Sequence, residues 1–125
     1  FAAGCGRVFE GTSKEMYHSL NTKIGSLHDN THLYFGHEYT ENNLNFAVTI
    51  EPENSLTVQK LNVTQIKRNH GEYTTPSILG EERTYNPFLR CKHESVKQTV
   101  FKKNRKSSLD PVHVFSAIRK LKDQY

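Results

Sequence analysis

Apolar positions recur with a helical period over most of this 125-residue chain. Met16, Leu20 and Ile24 fall four apart on one stripe. Thr12 and Glu15 ahead of them have the reciprocal spacing of a capping box, so a helix is expected from about residue 13, with Gly25 as its stop. Thr31-His32-Leu33-Tyr34-Phe35 reads differently. Its β-branched and aromatic make-up and its length are those of a buried strand, closed by Gly36. Thr40 is placed to cap a helix over 41–49 that puts Leu44, Ala47 and Val48 on one face, before Glu51-Pro52 interrupts it. Another helix is expected over 54–70, with Val58 beside Leu61 and Val63 beside Ile66, ending at Gly71. Residues 74–88 carry Thr75-Pro76-Ser77, Gly80-Glu81-Glu82 and Asn86-Pro87, which is punctuation for a loop with at most one short helical turn. A helix over 92–100 and a basic polar loop over 102–108 follow. Asp110 as cap and Pro111 at the first position then announce a last helix with Val114, Ile118, Leu121 and Tyr125 as its stripe. Arg119 and Lys122, three apart, share a face of that helix as a two-point cationic clamp.

Composition narrows the picture without deciding it. An apolar content of 34% and a mean hydropathy of −0.73 are those of one water-exposed domain with a modest core. No run approaches the roughly eighteen consecutive apolar residues that a membrane helix requires. Cys5 and Cys91 stand far apart with no second cysteine at metal-binding or redox spacing. A reducing compartment is the default, and a single bridge between the two stays open. The net charge of +4 is unevenly spread: from Arg90 onward ten Lys or Arg face three acids, and before it seven face ten. The basic C-terminal third asks for an anionic partner, whether nucleic acid, membrane surface or a small multiply charged ligand. There is no G-x-G-x-x-G, P-loop, C-x-x-C or G-x-S-x-G. The opening Phe1-Ala2-Ala3-Gly4 reads as the tail of a strand, so the chain is expected to be a piece of a longer one.

The candidate chemistry centres on Gly36-His37-Glu38-Tyr39. A strand delivering His37 at its tip, just before a helix start, is a position from which an imidazole reaches a ligand or metal. A lone histidine is more often a structural, hydrogen-bonded residue, so spacing alone leaves both readings standing.

Several segments together resemble the glyoxalase II family of hydroxyacylglutathione hydrolases. They are Ala3-Gly4-Cys5-Gly6-Arg7-Val8-Phe9-Glu10-Gly11-Thr12, Gly36-His37-Glu38-Tyr39-Thr40-Glu41-Asn42-Asn43-Leu44, Glu51-Pro52-Glu53-Asn54, Pro76-Ser77, Glu81-Glu82, Tyr85-Asn86-Pro87-Phe88 and Lys122-Asp123-Gln124. The resemblance runs in order along essentially the whole chain. It implies an α/β (α+β) fold class, in which residues 1–38 are the C-terminal end of a truncated metallo-β-lactamase αββα domain and 39–125 an all-helical glutathione-binding domain. It also implies that the parent hydrolyses thioesters such as S-lactoylglutathione to glutathione and a 2-hydroxy acid, in the cytoplasm or in mitochondria. Two divalent ions do this work in the family, zinc first, with iron and manganese as alternatives. By the resemblance His37 is one metal ligand, and Arg7, Phe9, Tyr39, Arg119 and Lys122 contact glutathione. Phe9 stands where the family often carries Tyr, which removes a hydroxyl.

The T-H-x-H-x-D-H signature, a further His and the bridging Asp of that family are absent. The partner implied is the missing N-terminal half, with neither nucleic acid nor membrane. Alone, the piece is expected to bind metal weakly or not at all, to hydrolyse nothing, and to associate through an uncovered sheet edge. Two other readings stand beside this one: a basic helical module using Lys102 to Lys106 on phosphates, and a non-catalytic relative of the family.

Overall fold

The computed structural model describes residues 1–125. Its first helix, α1 (Ser13–Tyr17), starts at the expected capping box, with Glu15 N–H donating to Thr12 Oγ1 at 3.2 Å and Thr12 N–H to Glu15 Oε2 at 2.7 Å. It widens into a π-helical turn over His18–Lys23 and tightens to a 3₁₀ turn over Ile24–Ser26. Leu20 is buried, and Met16 and Ile24 pack half-buried beside it.

The strand expected over 31–35 is much shorter and is not buried. β1 (His32–Leu33) pairs antiparallel with β2 (Ser77–Ile78), His32 opposite Ile78 and Leu33 opposite Ser77, and this is the whole sheet. Tyr34 is 76% exposed, because no layer covers the ribbon's outer face. Phe1–Gly4 is likewise a turn rather than a strand tail: Gly4 N–H closes onto Phe1 O at 2.9 Å, and Ala3 takes a left-handed φ of 57°. The observed class is therefore mostly helical, with a minor antiparallel ribbon.

α2 (Thr40–Ile50) buries Leu44 and Ala47 as expected, and also Phe46 and Ile50. Thr40 is not its cap. Tyr39 occupies that position without a side-chain bond, while the Thr40 hydroxyl pairs with that of Thr74 at 2.6 Å. α3 (Ser55–Asn69) starts at Asn54, whose side chain accepts from Leu56 N–H at 3.2 Å, and ends before Gly71, where φ is 71°. Its buried residues are Thr57 and Thr64, and Leu61 packs half-buried against Ala3, Leu44 and Tyr85; Val58, Val63 and Ile66 face outward. The expected loop over 74–88 contains β2, a two-turn helix α4 (Leu79–Tyr85) and a 3₁₀ turn over Pro87–Leu89 capped by Asn86. α5 (Glu94–Lys103) and α6 (Pro111–Asp123) follow, the latter capped by Asp110, which accepts from Val112 and His113 N–H at 3.1 and 3.2 Å.

The core lies among α2, α5, α6 and the turn after α4. Phe88 meets Phe115 edge-on at 5.3 Å and stacks at 6.5 Å on Phe46; Ile50, Val96, Val100, Val114 and Ile118 fill around them. Each fully buried side chain of this kind contributes about 1.5–3 kcal/mol. Leu20 belongs to the same cluster, so residues from before and after position 39 share one core.

Candidate functional site

The site is built on the turn before α1, which long-range polar contacts hold in place. Glu82 of α4 is fully buried. Its carboxylate accepts from Ala3 N–H at 2.9 and 3.1 Å, Ser77 Oγ at 2.6 Å, Tyr85 Oη at 3.0 Å and Asn86 Nδ2 at 2.9 Å. So many donors compensate its desolvation without a cation. Burial, with Glu82 beside it, pushes the Tyr85 hydroxyl well above its usual range. Asn43 of α2 donates to Ala2 O at 3.0 Å and Asn86 to Gly4 O at 3.0 Å. A Cβ on Gly4 would come within 2.7 Å of the Asn43 side chain, so this close approach requires glycine.

Beyond that turn opens a cleft of about 500 Å³, with Arg7 and Phe9 on one wall, Tyr39 on another, and Arg119, Lys122 and Tyr125 from α6 and its end. A smaller cleft of about 200 Å³ adjoins it, sharing Cys5, Gly6, Tyr39 and Asn43 and adding His37. The His37 ring stacks on Tyr39, with centroids 5.3 Å apart and planes at 9°. All six residues singled out in the sequence thus lie on one pair of adjoining clefts.

Their availability differs. Arg119 is only 5% exposed and its fork is already occupied. Nη1 donates to Cys5 O at 2.7 Å and Gly6 O at 3.3 Å, while Nε and Nη2 reach Asp123 Oδ1 at 3.1 and 2.9 Å. Its guanidinium also lies over the Phe88 ring at 5.3 Å. Arg119 therefore builds the cleft wall rather than extending into it. Lys122 carries its ammonium over the rings of Phe46 and Tyr125, 5.2 Å from each centroid. Burial, reinforced by the like charge of Arg119, lowers its pKa. Arg7 is exposed and its nearest carboxylate is Asp123 at 3.9 Å; Phe9 is 86% exposed and Tyr39 largely so.

Metal ligation depends on the donor set. No group of three or more His, Cys, Asp and Glu side chains in this chain could hold an ion, and His37 stands exposed with only the Tyr39 ring stacked on it. One imidazole does not fix a catalytic metal, so these residues alone do not fit the two-ion centre, and no catalytic step is assigned through it. The thiols offer no substitute: Cys5 and Cys91 are free, burial pushes Cys5 up to about 11 and Cys91 higher still, and neither is a thiolate nucleophile near neutral pH.

Sequence reasoning missed Glu82, Asn43, Asp123 and Tyr125. Asp123 was accessible in principle, four residues after Arg119 on one helix face. Tyr125 was visible only as part of the apolar stripe of the last helix, although it lies three residues after Lys122. Glu82 and Asn43 act on residues 2 and 3 at the far end of the chain, which spacing does not show.

The family model described as hydroxyacylglutathione hydrolase C-terminus matches residues 38–125. Proteins named hydroxyacylglutathione hydrolase align over 125 residues, 100% of this chain. The one from Gloeothece citriformis is 45% identical, with 46% of its length covered, and the one from Pseudomonas fluorescens is 42% identical, with 49% covered. The one from Aliivibrio fischeri strain MJ11 is 42% identical, with 48% covered. The chain spans about half the length of the curated relatives it matches. On the strength of the family match and these identities, the chain belongs to the hydroxyacylglutathione hydrolase family, of which it carries the C-terminal part.

Proposed function

We propose that this chain supplies the glutathione-binding cleft and one metal ligand of an enzyme that hydrolyses glutathione thioesters such as S-lactoylglutathione. The observation that carries the reading is the shared cleft: Arg7, Tyr39 and Lys122, from the segment after the first turn, the start of α2 and the end of α6, line one space of about 500 Å³. A glutathione carboxylate between Arg7 and Lys122 would gain charge-assisted hydrogen bonds, Tyr39 would offer a hydroxyl, and Phe9 an apolar ring. Arg119 would act as a positioning residue, fixing the Cys5 and Gly6 carbonyls so that Arg7 is presented. His37, beside Tyr39, would give one ligand to a centre whose other ligands lie outside this chain. Those ions would supply carbonyl polarisation and a hydroxide at neutral pH. The division at 38/39, between the end of a preceding domain and a glutathione-binding part, is part of the same proposal. The start of the family match at residue 38 supports it.

Calorimetric titration of the chain with an S-alkyl glutathione thioether tests this. Saturable binding is expected, weakened roughly tenfold by Arg7→Gln or Lys122→Gln, about 1.4 kcal/mol each. Absence of binding, or binding indifferent to both substitutions, would overturn the reading.

A further inference from the structure

A second cationic concavity lies on another face. Between the end of α5 and the last turns of α6 is a cleft of about 170 Å³, whose polar lining is Lys103, Asn104, Ser107, Lys120 and Gln124. All five offer N–H or O–H groups, and none is a carboxylate. The three largest clefts differ: the candidate glutathione cleft contains Asp123, one beside α2 contains Glu51 and Glu53, and one beside α1 contains Glu10 and Glu15. The cleft at His37 also lacks a carboxylate but has no lysine or arginine in its lining. No carboxylate lies within ion-pair distance of Lys103 or Lys120, nor of the flanking Lys102, Arg105 and Lys106. Arg105 rests on the Phe101 ring at 5.9 Å instead. The Asn104 side-chain oxygen accepts from Lys106 N–H at 3.2 Å, which leaves its NH₂ free to donate.

The ordinary explanation for lysines at the ends of α5 and α6 is attraction to the helix C-termini. It accounts for each helix separately, not for their meeting in a concavity without acids. Two helix ends bring roughly half a negative charge each, against the two full positive charges of Lys103 and Lys120 that line the cleft, so the local field favours an anion. Lys120 and Lys122 are two apart on α6 and so lie roughly 200° apart around its axis. This cleft therefore faces away from the one assigned to glutathione.

We propose that the α5–α6 cleft binds a phosphate-type oxyanion, carried either by a small soluble phosphorylated ligand or by a lipid headgroup. Lys103 and Lys120 supply the charge, while Asn104, Ser107 and Gln124 supply neutral donors around the remaining oxygens. Only the phosphate enters so small a space; the rest of the ligand projects past Arg105 and Lys106.

Titration of the chain with inorganic phosphate and pyrophosphate at low salt, followed by amide NMR, is the test. Pyrophosphate is expected to bind with a dissociation constant on the order of 1 mM or tighter, moving the amides of Asn104 and Ser107. Lys103→Gln with Lys120→Gln should weaken this roughly tenfold. Lys14→Gln with Lys23→Gln removes the same charge elsewhere and should change it less than about twofold. All four lysines are exposed, and unchanged melting shows that the fold is intact. Retention on phosphatidate-bearing vesicles that is lost in the first pair assigns the headgroup as source; pyrophosphate binding without vesicle retention assigns a soluble ligand. No amide movement with either anion, or equal weakening by both pairs, overturns the proposal.

Discussion

Glu82 shows how one side chain can hold a distant segment. Its carboxylate collects donors from Ala3, Ser77, Tyr85 and Asn86, so truncation leaves several buried groups unpaired at once. Glu82→Ala is expected to lower stability by about 3 kcal/mol, more than the near-isosteric Glu82→Gln, measured by urea unfolding. Equal effects would show that the charge-assisted bonds add nothing. Thr57 gives the opposite case: its hydroxyl is buried on the inner face of α3 without a partner. Thr57→Val keeps the shape and removes the unpaired group, so the midpoint should rise, by about 1 kcal/mol in free energy. A fall would mean that the hydroxyl has a partner in solution. Neither role was legible in the sequence: Glu81-Glu82 entered only as a segment of the family resemblance within an expected loop, and Thr57 lies outside the apolar pairs.

At the scale of elements, the legible features were those stabilised within a few residues. Thr12 with Glu15 before α1 and Asp110-Pro111 before α6 announce their helices by local hydrogen bonds that spacing alone encodes. α4 was read as loop because its support is remote: its Glu82 bonds to residue 3, and its Arg83 reaches the carbonyls of Gly25 and Leu27 at 2.8 and 3.1 Å. The strand over 31–35 was over-read, because aromatic and β-branched residues favour a pleated surface only where another layer covers it, and here only a two-residue partner exists. The Asp110 cap carries a pH signature. Bonds from Ser108 and then His113 hold its carboxyl at about 2, below its usual 3.8. A depressed folded-state pKa gives stability that is present above the unfolded value and lost as pH falls towards the folded one. The difference in melting temperature between wild type and Asp110→Asn should therefore be constant above about pH 5 and shrink between about pH 4 and pH 2. A difference unchanged down to pH 2 would assign the stabilisation to packing.

At the scale of the whole molecule, Leu20 packs into the cluster of Phe46, Phe88 and Phe115. Unfolding is thus expected as one transition, and Leu20→Ala should shift all of it, by about 2–4 kcal/mol. An early separate transition confined to the first forty or so residues would contradict this. The candidate cleft was legible as a set of residues through the family resemblance, but their division of labour was not. Arg119 and Lys122 are equivalent on a helical wheel, yet one is spent on backbone carbonyls and Asp123 while the other stays at the cleft, a difference set by residues 5 and 6 at the opposite end of the chain.

The seat of the Lys122 ammonium over two ring faces also makes it a built-in reporter. Methylene protons held above aromatic rings resonate upfield of those in a solvated lysine. An anion that draws the ammonium off Phe46 and Tyr125 would return them towards ordinary positions. Occupancy of the cleft could then be followed from one shielded signal, with no label, no substrate turnover and no bound metal.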